Sequence, residues 1–305
     1  MPNRLIGRYT HDLEGPLLIV MAAMHGNEPA GVKALEYLFK MLEVEPITNH
    51  NFQFRGELLG LIGNLKAFGQ QQRFIDHDLN RIWTEPTSPQ KGDCHELTEK
   101  DQIIEVINDR LSSSNHSEII LLDLHTTSSD GGIFTIPGPG HKSLDISMSL
   151  NAPVILNMMD NIRGTIMEYF NPDYDRQAIH ALTFESGRHL DPLSVNRAIA
   201  AMINCLKHLN MVDSTDVESI HDDILKQYSQ GLPKVSRLIY RHPIEDGDTY
   251  ETLEGFLNFK RVKKGDSLAE HNGVTIAAPQ TGRILMPLYQ KQGAEGFYII
   301  EDVEE

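Results

Sequence analysis

The sequence predicts an α/β fold, a mixed and mainly parallel sheet flanked by helices, followed by a small β-rich, barrel-like domain. Two patterns predict it. Over roughly the first two thirds of the 305 residues, apolar strand-like runs alternate with helix-like runs, as in a parallel sheet built from strand–helix–strand units. After about Met211 the texture changes to short strand candidates punctuated by Gly255, Gly265, Gly273, Gly282, Gly293 and Gly296. The division expected is an α/β domain over 1–212, a polar connecting segment over 213–231 and a β-rich domain over 232–305.

Taken in order, "LLIVMAAM" reads as a buried strand, and "GNEPAGVKALEYLFKMLE" as a helix with Val32, Leu35, Leu38, Phe39 and Leu42 on one face. "GELLGLIGN" is a second strand. "LTEKDQIIEVINDRL" reads as a helix opened by Thr98, with Asp101 three residues on in the manner of a capping box. "EIILLDLH" is a core strand broken only by Asp123, and "TTSSDGG" is the loop after it. "HALTFESG" is a further strand, and "DPLSVNRAIAAMINCLKHL" a helix with Pro192 in its first turn. "VDSTDVESIHDDILKQYSQGLPK" is polar and reads as the connector. Beyond it "VSRLIYRHPI", "GFLNFKRV", "VTIAAP", "GRILMPLY" and "GFYIIEDV" are the strand candidates of the tail.

The net charge of −16 argues against nucleic acid or an anionic membrane as partner, because phosphate binding needs a basic surface. No apolar run reaches the roughly 18 residues of a membrane span. "MPNRLIGRYTHDLEG" lacks the apolar core and cleavage site of a signal peptide. Cys94 and Cys205 are too few for a disulfide framework and lack metal-type spacing. A cytoplasmic protein is expected; the oligomeric state stays open, with a homodimer among the options. An acidic protein that takes a carboxylate substrate has to grip it with local arginines, so arginine positions are informative.

Chemistry concentrates at strand ends, where α/β sheets bind ligands. His25 and Glu28, three apart in the loop leaving "LLIVMAAM", and His125, ending "IILLDLH", could supply the two histidines and one carboxylate of a catalytic zinc site, the alternatives being a solvated loop and a strand-end histidine bonded to backbone. Asp123 shares a strand face with His125 and is suited to accept a hydrogen bond from it, or to tie nearby backbone amides. Glu185 ends "ALTFE"; beside a metal-activated water it is the expected general base. "QQRFIDHDLNRIW" holds Arg73, Asn80 and Arg81, suited to a substrate carboxylate, with Arg73 alternatively aimed at an oxyanion. In the same loop Asp78 reads as a loop-ordering group, His77 as exposed and Trp83 as packing. His189 reads as lying beside a helix start, without a catalytic role.

"HGNEPAG", "RFIDHDLNRIW", "LLDLHTT" and "FESG", in this order and spacing, resemble the succinylglutamate desuccinylase/aspartoacylase family, amidohydrolases related to the zinc carboxypeptidases. The resemblance implies a carboxypeptidase-like α/β domain followed by a β domain that narrows access to the site. It implies one zinc ion per chain on His25, Glu28 and His125, with Glu185 as the base that activates the attacking water. It further implies that Arg73 polarises the scissile carbonyl while Asn80 and Arg81 hold the carboxylate of a small N-acyl amino acid. The resemblance also implies that some relatives grip a second carboxylate with an arginine and a tyrosine upstream of the base, for which this sequence offers Arg163, Tyr174 and Arg176, none aligned without a shift. It implies too that a tyrosine of the β domain is used, for which the sequence offers Tyr298 with the register open.

Two rival readings remain. A metallocarboxypeptidase would share the zinc and the base but act on short peptides. In a different class, "GVTIAAPQTGRILMP" resembles the flattened barrel of lipoyl carrier domains, a non-catalytic carrier or interaction module. Its hairpin tip, "PQTG", lacks the lysine such carriers modify. The glycines of "DGGIFTIPGPG" form no dinucleotide fingerprint, since no helix opens after them at the required spacing.

Overall fold

Strands β1 (Leu5–Thr10), β2 (Leu13–Ala22), β3 (Arg55–Ile62), β4 (Ile119–Thr127), β5 (Phe134–Pro137), β6 (Val154–Leu156) and β7 (Ile179–Arg188) build most of one large sheet in the computed structural model. It describes residues 3–11, 13–85, 87–89, 94–113, 116–160, 162–171, 179–216 and 220–303. The helices are α1 (Ala30–Thr48), α2 (Leu65–Gln70), α3 (His95–Ser113), α4 (His141–Ser149), α5 (Ile166–Tyr169), α6 (Pro192–His208) and α7 (Ile220–Tyr228). After them come β8 (Val235–Pro243), β9 (Tyr250–Thr252), β10 (Arg261–Val262), β11 (Ser267–His271), β12 (Val274–Ala277), β13 (Gly282–Leu285) and β14 (Glu295–Asp302).

The eleven-stranded sheet runs β1-β3-β2-β4-β7-β5-β6-β8-β14-β13-β10. Its centre, β3, β2, β4 and β7, is parallel. Continuous apolar runs mark strands covered on both faces, and the alternation of side chains divides each run between two cores. Leu18 and Val20 face α1 and α6, where Leu35, Leu38 and Ala201 pack. Leu17, Ile19 and Met21 face the other way, toward Ile103 and Ile107 of α3 and Tyr298 of β14. All five residues expected on the inner face of α1 are buried. Among the described residues no helix is long and apolar enough to cross a membrane.

Several elements differ from expectation, each for a tertiary reason. Helix α3 begins at His95, ahead of Thr98, because Asp76 Oδ2 accepts from His95 N at 2.8 Å. Glu96, in its first turn, is fully buried and accepts from the backbone amides of Ile75, Asp76 and His77. The polar connector contains α7, seated on α6 by buried Leu225 and a 2.7 Å Lys207–Asp222 ion pair. The strands of the tail are divided between two sheets that share a small hydrophobic core of Val262, Leu268, Ala278, Ile284, Phe297 and Ile299. Strands β8, β14, β13 and β10 extend the main sheet through the parallel β6–β8 pair, Val154 opposite Val235, while β9, β11 and β12 form a separate three-stranded sheet. "GFLNFKRV" supplies only the two-residue β10. The turn before it docks instead on the loop after β4, with Asn258 Nδ2 donating to Thr127 Oγ1 at 3.1 Å.

Candidate metal centre

Strands β2, β4 and β7 lie side by side and end at one edge of the sheet. Past β2, the Glu28 amide donates to His25 O at 3.1 Å, a tight turn that brings side chains three apart to one point. Gly26 permits that turn. Its amide donates to Arg73 O at 3.0 Å, and a Cβ there would stand 2.1 Å from the Ala67 carbonyl carbon. On β4 and β7, His125 and Glu185 are register partners. The register slips immediately beyond them, with Gly187 at φ +108° and no room for a Cβ against Arg197. Such a bulge turns the strand and aims the last side chain into the site.

His25 Nδ1 lies 2.8 Å from Glu28 Oε1, and His125 Nδ1 lies 3.2 Å from Glu28 Oε2. One ligand atom from each of the three lies within 4.8 Å of the others, and all three residues are buried. The far ring nitrogens rest on carboxylates: His25 Nε2 is 3.0 Å from Asp78 Oδ1, and His125 Nε2 is 2.8 Å from Asp123 Oδ2. That arrangement sets each tautomer and orients each ring, leaving both Nδ1 atoms directed at a shared centre. The donor set fits a divalent cation with preference for nitrogen and carboxylate oxygen.

The charges reinforce one another. Burial opposes ionisation of Glu28, but His25 and His125 outweigh it and hold its pKa well below the usual carboxylate range. Burial likewise opposes charge on His125, yet Asp123 and Glu28 hold its pKa well above the ordinary histidine value. Asp78 is also buried and is held low by His25 and Arg73. Glu185 goes the other way. Burial pushes its carboxyl up to about 8, with the nearby Glu28 carboxylate adding to the rise and His125 opposing it. Its Oε2 is buried and has no hydrogen-bond partner among the described residues.

Arg73 donates to Asp78 Oδ2 at 2.9 Å and stands 3.6 Å from Glu28. Asp78 also accepts from the Asn80 amide at 2.9 Å and so caps the 3-10 turn Leu79–Arg81. Asn80 Oδ1 accepts from Ile166 N at 3.0 Å. Arg81 donates to Glu295 Oε2 at 2.9 Å, and Arg241 joins Glu295 at 3.2 Å. The Nε atoms of Arg73 and Arg81 and the hydroxyl of Tyr298 are buried donors with no partner among the described residues. Tyr298 is 1% exposed and borders both lobes of the site cavity. One lobe, of about 70 Å³, holds the three candidate ligands, Glu185, Arg73, Asn80 and Arg81. The other, of about 50 Å³, adds His189, Gln290 and Glu295.

The edge of the sheet thus collects His25, Glu28, His125, Asp123, Glu185, Arg73, Asn80, Arg81 and Tyr298. Arg163 is not brought in: its side chain is 63% exposed and pairs with Glu168 at 2.9 Å. Tyr174 and Arg176 lie outside the described residues. Trp83 packs on Tyr169 and Phe170, and His77 is exposed, as expected. His189 lies nearer the site than its sequence position suggests, with Nδ1 2.7 Å from Thr126 Oγ1 and Nε2 3.1 Å from Gln290. Sequence reasoning missed the contacts of Asp78 to His25, Glu96 to the arginine loop and Glu295 to Arg81. The alternation in "DHD" was a signal for Asp78; nothing local marks the other two.

The chain is similar to known proteins in sequence and in fold. The curated succinylglutamate desuccinylase of Pseudomonas fluorescens (strain Pf0-1) is 24% identical over 285 residues, 88% of this chain and 78% of that protein. In fold, the chain is similar to the succinylglutamate desuccinylase/aspartoacylase of Rhodobacter sphaeroides, with TM-score 0.67, 16% identity and 96% and 87% of the two chains covered. The ectoine utilization protein EutE (DoeB) of Ruegeria pomeroyi superposes with the same TM-score at 17% identity, covering 95% and 86%. The sequence model of the succinylglutamate desuccinylase/aspartoacylase catalytic domain matches residues 14–209, a stretch that carries all three candidate ligands, Glu185 and the arginine loop, and the chain belongs to that family.

Proposed function

We propose that the protein is a zinc-dependent amidohydrolase that removes the acyl group from a small N-acyl amino acid. The observation that carries this reading is Glu185: a buried carboxylate with an unpartnered oxygen, register partner of His125, bordering the same cavity as the three candidate ligands. The relatives' names, succinylglutamate desuccinylase among them, support the same reaction class.

His25, Glu28 and His125 would hold the zinc ion, which supplies Lewis-acid polarisation of the carbonyl and acidifies the attacking water. Glu185, made more basic by its burial, takes a proton from that water at Oε2 as the water oxygen adds to the amide carbon. Arg73 faces the developing oxyanion. Glu185 then delivers the proton to the amide nitrogen as the carbon–nitrogen bond breaks, releasing a carboxylic acid and an amino acid. Asn80 and Arg81 hold the carboxylate of that amino acid, and the free Tyr298 hydroxyl is placed to donate to the substrate.

Glu185→Gln should keep zinc bound while kcat falls by about 10²–10⁴, the range for a lost acid–base group. Wild-type turnover in that variant refutes the role. His125→Ala should lose the tight zinc, so one tightly held ion in that protein refutes the three-ligand site. N-acyl amino acids should be cut in preference to short peptides.

A further inference from the structure

We propose that the amino acid released carries an apolar side chain, seated in a lobe walled by Ile136, Met158, Met159, Ile162 and Met167. This inference rests on the deacylase reading and adds the substrate class. The wall is built of thioether and branched aliphatic groups from β5 and from the stretch 158–167 that leads into α5. Ile136, Met158, Ile162 and Met167 are buried and Met159 is half-buried. The polar side chains that border it are engaged. Thr183 donates its hydroxyl to Met167 Sδ at 3.4 Å, and Thr165 caps α5 by accepting from Glu168 N at 3.1 Å.

The position of this wall decides which part of the substrate meets it. Asn80 Oδ1 holds Ile166 N, so the start of α5, with Thr165 and Met167, stands directly beside the residues that would take the carboxylate. An amino acid with its carboxylate at Asn80 and Arg81 and its nitrogen under Glu185 has one substituent left on Cα, and that wall faces it. Among the described residues the guanidinium groups bordering the cavity are Arg73, paired with Asp78 and assigned to the oxyanion, and Arg81, paired with Glu295 and assigned to the first carboxylate, so both already have a role. A second carboxylate entering the apolar lobe gives up water for groups that cannot hydrogen-bond it. Methionine side chains adapt their shape, so a range of apolar side chains should fit.

The test compares N-acetyl-leucine, N-acetyl-methionine, N-acetyl-aspartate, N-acetyl-glutamate and N-succinyl-glutamate on the full-length, zinc-loaded protein. The leucine and methionine compounds should show kcat/KM about a hundredfold or more above the acidic ones, the discrimination expected when a charge must enter an apolar pocket. Preference for any acidic compound overturns the inference and leaves the deacylase reading standing. If none is hydrolysed the deacylase reading falls, and calorimetric titration with the free amino acids decides the lobe by itself. Tighter binding of leucine and methionine supports it; no preference, or preference for aspartate or glutamate, overturns it. Met159→Arg, at the half-buried edge of the wall, should lower kcat/KM for N-acetyl-leucine about tenfold or more and raise the relative rate on N-acetyl-aspartate. An unchanged ratio overturns the assignment of that wall.

Discussion

Asp78→Asn isolates the part played by a residue outside the ligand set. One carboxylate serves three donors: Oδ1 faces His25 Nε2 at 3.0 Å and the Asn80 amide at 2.9 Å, and Oδ2 accepts from Arg73 Nη2 at 2.9 Å. An asparagine keeps one oxygen, so its NH2 must meet either the His25 or the Arg73 N–H, donor against donor. Both sides of the contact are buried, with side-chain exposure of 6% for His25 and 9% for Asp78, so solvent screens little of the loss. A lost hydrogen bond to a charged group costs about 1.5–3 kcal/mol. Losing the partner that orients a ligand histidine typically costs about 10–100-fold in metal affinity, or about 1.4–2.7 kcal/mol. The two routes agree. Zinc affinity, measured by competition with a chromophoric chelator, should weaken about 10–100-fold, and the metal-free melting temperature serves as the control for folding. Zinc affinity within about threefold of wild type would refute the claim that Asp78 holds His25, because that gap is well below one decade.

Two further outcomes follow from local geometry. His242 is 7% exposed, stacked on Phe297 at 5.0 Å, with Nε2 2.9 Å from His271 Nδ1. Burial first, and His271 second, lower its pKa below 6.5, so the folded state favours neutral His242. The stability this contributes is present above pH 6.5 and lost as pH falls through the lowered value. Wild-type melting temperature should therefore drop more steeply below pH 6.5 than that of His242→Phe, and parallel curves would contradict this. Gly26→Ala should cost about 1–3 kcal/mol and displace His25, since the added carbon meets Ala67 backbone, whereas Gly69→Ala has open space and should cost nothing. Calorimetry with metal analysis separates the pair; equal stability and equal zinc content would remove the packing argument for Gly26.

The clustering of the three candidate ligands with Glu185 was legible in the sequence because each stands at or just past the end of an apolar strand. An uncharged run such as "IILLDLH" or "ALTFE" has to be buried, its terminal polar residue must reach the edge of the sheet, and parallel strands put those edges together. The same logic placed α1 and α6, whose apolar periodicity is set by the core they cover. Local spacing failed wherever a distant partner overruled it. Asp76 and Glu96 start α3 before Thr98, a buried leucine orders the polar connector, and the β6–β8 pair joins the tail to the main sheet.

The lining of the candidate site belongs largely to the tertiary structure. Its apolar wall joins residues 136, 158, 159, 162 and 167, and Glu295 crosses from the last strand to neutralise Arg81, 214 positions away. The sequence by itself determined which residues could form a metal centre, because strand ends and a three-residue turn are local features. Only the folded chain decided which other side chains border the site cavity, because Ile136 and Glu295 reach it from segments that no local pattern connects.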